Sequence, residues 1–278
     1  MKSLQIYLLA LIQFTNLLDA NIMIPLGPSL TKSLGISDTH FGLLLSSYFY
    51  GAFLCGIIGL KFIDRKDKKT LLLGLYGCFF VSMVLCAFSA DNFYLLLFGR
   101  TLSGLSGGML TSSMIAIIGD LAPAEHRGSA LGTFSLAGPL AAILGIPLGL
   151  VISENYSYQY LYGGIAIVAA ILLIWAHFTL PSCPPAQRNQ RQEETRHPLW
   201  RDTNAYWGIL KTALVSTGSN LAMPFLATFL VYNVGLNEKG DLPILYLVAG
   251  TVTILIAPLA GRMADHKLLF SLKKNIVT

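Results

Sequence analysis

The sequence predicts an all-α membrane protein, and three observations carry that reading. The 278 residues are 54% hydrophobic and only 12% charged, with a mean hydropathy of +0.63; soluble domains carry about twice that charged fraction. The apolar residues are gathered into runs of about 20, the length at which a helix crosses a hydrocarbon layer of about 30 Å. The basic residues fall in the links between those runs, with a strong bias to alternate links.

The charge cluster Asp64-Arg65-Lys66-Asp67-Lys68-Lys69 fixes the count. Six adjacent charges do not enter a bilayer cheaply, so they form a turn at one surface. Before it lie spans over 4–30 and 41–62, and after it spans over 70–90, about 93–118, 129–152 and about 160–180. Residues 1–180 are therefore expected to form a six-helix bundle. Residues 181–204, with Pro181, Pro184, Pro185 and the polar run from Gln187 to Glu194, read as a cytoplasmic linker. Residues 205–278 hold two further spans, about 206–232 and 243–262, the second closing on Gly261-Arg262-Met263-Ala264-Asp265. That stretch echoes the first charged turn, as expected of a duplicated membrane protein.

Eight spans with the N-terminus inside leave only Lys32 and Lys239 in outer links. Arg100 lies within the layer, Lys211 sits near a span end, and the other fifteen of the 19 Lys and Arg residues lie inside. This asymmetry predicts a cytoplasmic N-terminus in a cytoplasmic (inner) membrane. It also argues against nucleic-acid binding, because the net charge of +5 is dispersed rather than gathered in one patch. Cys55, Cys78 and Cys86 lie inside apolar runs and Cys183 in the linker, a spacing that suits neither a disulfide framework nor a metal site. No Walker loop, nucleophile elbow or His-Glu-x-x-His motif is present, so the sequence points to neither an enzyme nor a cofactor. The first apolar run is too long for a cleavable signal peptide.

Ionisable and polar groups inside spans are expensive, and each is a functional candidate. Gln13, Asn16 and Asp19 recur at helical spacing, giving the first span one polar face that must meet other helices or water. Asp19 is a candidate proton or cation carrier; a polar packing contact is the alternative. Arg100 in the fourth span needs a partner, for which Asp19, a carbonyl or water would serve, and it is a candidate substrate or coupling-ion contact. Gly104, Gly108 and Thr111 continue its stripe and permit close helix approach. In the fifth span Ser135, Gly138, Ala142, Gly145 and Gly149 form a small-residue stripe, and Pro139 and Pro147 predict kinks, either for packing or for a pliable gate. Asn220 continues a polar stripe from Thr212 and Ser216 in the seventh span and is a candidate cavity contact.

Taken together, these motifs resemble the major facilitator superfamily, in particular its drug/proton antiporter and arabinose-efflux-like branch. The turn Phe62–Lys69 is similar to the signature loop between helices two and three, with Asp64, Arg65, Lys68 and Lys69 matching. Leu60 and Asp67 stand where that loop usually has glycines. Gly261 and Asp265 resemble its second copy. Arg100 with Gly104 and Gly108 resembles the fourth-helix motif, and Pro123 with Arg127 and Gly128 the loop after it. Gly138-Pro139 resembles the antiporter motif without its flanking glycines, and Gly145-Ile146-Pro147-Leu148-Gly149 is typical of the efflux branch. The resemblance implies twelve helices in two bundles, of which about eight are present here, and alternating access around a midplane site. It implies a small-molecule substrate and protons as partners, and an inner-face latch of Asp64 and Lys68 with Asp120. The alternative is a non-transporting membrane subunit that needs a second polypeptide to supply the remaining helices.

The topology is checked by labelling. On a cysteine-free background, a membrane-impermeant maleimide applied from outside reacts with a cysteine at position 91 and not with one at position 66; the reverse pattern refutes the orientation.

Overall fold

In the computed structural model, the described residues are 2–59, 67–90, 92–145, 147–149, 152 and 156–182, followed by 207, 208, 210–215, 217, 218, 234, 235, 248, 251, 252, 254–256 and 259. The chain divides into two compact units, Met1–Pro185 with Ala249–Thr278, and Ala186–Val248. Six helical segments long and apolar enough to cross a membrane are found among the described residues, all in the first unit. The seventh and eighth spans, and with them Asn220, Gly261 and Asp265, lie mostly outside the described residues, as do Asp64, Arg65 and Cys183.

Helix α1 runs from Lys2 to Leu34. At 33 residues it is about 50 Å long and outreaches the hydrocarbon layer. It continues past positions 25 and 28, where prolines remove two backbone donors; neighbouring helices make such losses tolerable in a membrane bundle. Lys32 therefore belongs to the last turn of α1 and not to a link. The helix ends at Gly35, whose φ of 61° is left-handed, with Ile36 N donating to Thr31 O at 3.2 Å.

Helix α2 spans Asp38–Gly59. Helix α3 spans Lys68–Ala87 and starts two residues earlier than the charge pattern suggests, because Asp67 caps it. The Asp67 carboxylate accepts from Thr70 N at 3.1 Å and Thr70 Oγ1 at 2.9 Å, satisfying donors that a helix start leaves orphaned. Helix α4 spans Phe93–Leu121, capped by Asn92, which accepts from the backbone of Tyr94 and Leu95. It stops at Ala122, held extended by the following Pro123. Asp120 thus lies in its last turn.

The fifth span is not one regular helix. It comprises α5 (Arg127–Ser135), α6 (Ala137–Leu140) and a π-helical turn at Ala141–Gly145. Pro139 and Pro147 flank that turn. Each removes a donor and crowds the carbonyl four residues earlier, which accounts for the breaks. The last described span, α7, covers Tyr158–Thr179.

Helix α4 is the centre of the bundle, packed on α1, α2 and α3, while α7 covers α3 and α1 and the fifth span lies along α1. The outward faces carry Tyr50, Phe53, Ile167 and Ile171, all exposed and suited to lipid. The tightest contact is between α2 and α4. A Cβ at Gly51 would lie 2.5 Å from Thr101 O, and one at Gly108 would lie 2.5 Å from Ala52 O. One at Gly104 would overlap the Tyr48 backbone. Glycine is required at these positions because two backbones touch there.

Gly104→Ala is therefore expected to destabilise the bundle by about 1–3 kcal/mol through overpacking. Gly74, on α3, has open space around its Cβ position, and Gly74→Ala gains up to about 1 kcal/mol of helix propensity. Thermal unfolding of both variants in detergent checks the contrast; equal shifts refute it.

Candidate functional site

The polar face of α1 is turned into the bundle. Gln13, Asn16 and Asp19 are all buried, Asp19 at 0% exposure. Opposite it, Arg100 on α4 is also at 0%. Its Nη1 forms an ion pair with Asp19 Oδ1 and also donates to the Asp19 backbone carbonyl at 3.2 Å. Arg100 lies seven residues after Phe93, the first residue of α4, which puts the pair about 10 Å from that end of the helix.

A third helix completes the site. The Tyr48 ring of α2 lies under the guanidinium, 5.1 Å from centroid to Cζ, a cation–π arrangement that is strongest when desolvated. The glycine contacts between α2 and α4 bring the ring this close. Ser103 faces Asp19 as well, but its hydroxyl donates to Arg100 O at 3.0 Å. Among the described residues, Asp19 Oδ2, Asn16 Oδ1, Arg100 Nε and Nη2, and Ser113 Oγ are buried without a hydrogen-bond partner. An unpaired buried polar group costs about 1–3 kcal/mol, so this region holds polar capacity beyond what the bundle itself uses.

Further along the same helices, Thr111 Oγ1 on α4 donates to Gln13 Oε1 at 3.1 Å. These two residues stand at a cleft of about 470 Å³, also lined by Leu17, Ile115, Leu131, Phe134, Ser135 and Gly138. Gly138 faces Leu17, Gly145 packs on Leu18 and Phe14, and Gly149 on Ile22, so the stripe of the fifth span lies along α1. Pro147 is exposed and Pro139 half-buried.

At the other end of α4 a second ion pair joins Lys68 Nζ, at the start of α3, to Asp120 Oδ2 at 2.6 Å. Arg127 Nε donates to Ala122 O at 3.4 Å, bracing the α4–α5 turn. Among the described residues, no group of His, Cys, Asp or Glu could hold a metal ion.

Tyr48, Gly51 and Gly107 are the site residues that a pass along the sequence misses. A signal exists for one of them: Ser47, Gly51, Cys55 and Gly59 recur every fourth residue, a small-residue stripe along α2. Nothing in the local pattern singles out Tyr48 among the aromatics around it.

The model of the Major Facilitator Superfamily matches residues 9–276. The chain belongs to that superfamily. A "Probable sugar efflux transporter" of Mannheimia succiniciproducens is 27% identical over 238 residues, covering 85% of this chain and 59% of its own length. A protein of the same description from Helicobacter acinonychis is 31% identical over 164 residues, 59% of this chain and 41% of that one. The chain thus spans about half the length of these superfamily relatives. Among solved structures, the inward-open xylose transporter XylE from E. coli is similar at a TM-score of 0.62 and 15% identity, over 92% of this chain and 67% of that one. A bacterial homologue of the human lysosomal transporter Spinster, inward-facing, gives 0.63 at 19% identity, over 94% and 60%. The all-helical fold and the multi-pass membrane character follow from this membership.

Removing one member of a buried pair leaves the other charge uncompensated. Asp19→Leu is expected to destabilise the superfamily bundle by about 3–5 kcal/mol. The double variant Asp19→Leu/Arg100→Leu costs less than the sum of the singles. Unfolding measurements on the three variants decide this, and strict additivity refutes a coupled pair.

Proposed function

We propose that the chain carries out secondary active efflux of a small molecule, with Asp19 as its proton carrier and Arg100 as the counter-charge. The single observation that carries this reading is the fully buried Asp19–Arg100 pair between α1 and α4. A carboxylate in an apolar bundle is stable as an anion only beside a cation. When Arg100 is drawn toward water or substrate, Asp19 takes up a proton; when Arg100 returns, the proton leaves. Such a pair couples two sides of a membrane when access alternates. Membership of a transporter superfamily supports the role, and no catalytic step is assigned to the chain. A sugar or drug-like small molecule is the proposed cargo, since the relatives named above are described as sugar efflux transporters. The chain is placed in the cytoplasmic membrane with its N-terminus inside, on the distribution of its basic residues.

Around this pair the other elements take supporting roles. The Lys68–Asp120 contact is the proposed inner-face latch, with Asp64, outside the described residues, as its third proposed member. Lys68 and Asp120 are partly exposed, so the contact contributes about 0.2–1 kcal/mol, enough to bias two conformations without locking either. Arg127, Gly261 and Asp265 belong to the same proposed set of loop contacts, and Asn220 to the cavity. The broken fifth span, with its π turn, is the proposed pliable element.

In vesicles, Asp19→Asn is expected to abolish uphill, pH-driven efflux while leaving downhill exchange, and Asp120→Asn to keep coupling but raise labelling from the inner face. A normal pH-driven gradient in Asp19→Asn refutes the carrier role.

A further inference from the structure

Tyr48 touches α4 at successive levels. Its ring lies under the Arg100 guanidinium, 5.1 Å from centroid to Cζ. One turn on, its backbone presses on Gly104, where a Cβ would overlap it. Its hydroxyl end meets Gly107, where a Cβ would stand 2.7 Å from Tyr48 Oη. The residue is 6% exposed. A ring stopped at its root and at its tip is a fixed plate in a close-packed interior, and it cannot follow the guanidinium if that group moves.

The guanidinium, by contrast, is thinly held. Its Nη1 reaches Asp19, at Oδ1 and at the backbone carbonyl. Among the described residues, Nε and Nη2 are buried with no hydrogen-bond partner. The other titratable groups facing Arg100 are Cys86 on α3 and Tyr162 on α7. The Tyr162 hydroxyl is turned to Met23 Sδ, at 3.9 Å, and a thiol is a weak acceptor. What remains is the negative face of the Tyr48 ring. The two holds on Arg100 differ in one respect. The attraction of Asp19 is lost when its carboxylate takes up a proton. The guanidinium stays charged, so its attraction to the ring persists.

We propose that Tyr48 is the positioning residue of the site: its ring keeps the Arg100 guanidinium at the crossing of α1 and α4 while Asp19 is neutral. The proposal rests on the reading of Asp19 as a proton carrier with Arg100 as its counter-charge, and adds what retains the counter-charge once the carboxylate is gone. With the ring in place, Arg100 leaves only for a group that binds it better than a desolvated π face, such as the cargo. Without the ring, Arg100 turns to water whenever Asp19 is neutral, and the cycle runs with no cargo moved.

The test varies the ring face and keeps the ring's shape. Tyr48→Phe is the reference, and phenylalanines bearing one, two and three fluorines are placed at position 48 of the full chain by nonsense suppression. Each fluorine drains negative charge from the ring face with little change in size, which weakens a cation–π contact. Thermal unfolding in detergent is followed in three backgrounds. With Asp19 and Arg100 in place, Tm is expected to fall with each fluorine. In Asp19→Asn, whose neutral amide stands in for the protonated carboxyl, the fall is about twice as steep or more, because the ring then bears the guanidinium alone. In Asp19→Leu/Arg100→Leu the fall disappears, which a role in packing alone would not produce. Equal slopes in the first two backgrounds overturn the proposal, as does a slope that persists without Arg100. Should Asp19→Asn fail to fold by circular dichroism, the other two backgrounds decide, and a Tm that ignores the fluorine count with Arg100 in place overturns it. A pH-driven gradient that survives Asp19→Asn in vesicles refutes the carrier reading beneath the proposal, whatever the fluorine series shows, so the two failures are told apart.

Discussion

Two opposite charges, each fully shielded from solvent, meet where α1 crosses α4, and much of the bundle is arranged to make that meeting possible. Neither Asp19 nor Arg100 can lie against lipid or apolar side chains alone. Once paired, they set the rotation of both helices, because a polar face on α1 must look at the one turn of α4 that carries the guanidinium. The register continues down the helices through Asn16 opposite Gly107 and Gln13 bonded to Thr111. A buried ion pair is a poor way to gain net stability compared with apolar packing. On the proposed reading, its value lies in tying the protonation of Asp19 to the position of Arg100.

The glycines of α2 and α4 serve that pair at one remove. Gly51, Gly104 and Gly108 let two backbones touch, and this close approach carries Tyr48 under the guanidinium. Bulkier residues there would separate the helices and withdraw the ring. Local packing thus controls the electrostatic environment of a residue one or two turns away. Elsewhere, contacts close the ends of the bundle: Gln5 at the start of α1 donates to Thr179 O near the end of α7 at 3.0 Å, and Tyr158 Oη of α7 meets Ser89 Oγ beyond α3 at 3.1 Å. These ties brace α7 at both ends, whereas the fifth span has a broken backbone along its length. The braced helix and the broken span thus lie in different parts of the bundle, the broken one beside the cleft.

The long, nearly uncharged runs of the sequence by themselves determined that the described part of the chain is a set of membrane-crossing helices, because backbone groups in a bilayer have no partners except within a helix or closed barrel. Superfamily membership was legible too, in the order of the motifs around Asp64, Arg100, Gly138 and Gly145, as were the chemical oddity of Asp19 and Arg100 and the kinks implied by Pro139 and Pro147. Helix ends were less so: the start of α3 at Lys68 depends on an Asp67 cap, which reads in sequence as one more charge in a charged turn. Only the tertiary structure decided that Asp19 and Arg100, 81 residues apart, are each other's partner, since periodicity gives each helix a polar face but not the direction in which it points. It alone selected Tyr48 from the neighbouring Phe49 and Tyr50, because which aromatic turns inward depends on how closely α2 and α4 approach. And it alone broke the fifth span with a π turn between two prolines, packed along a helix that the local sequence does not specify.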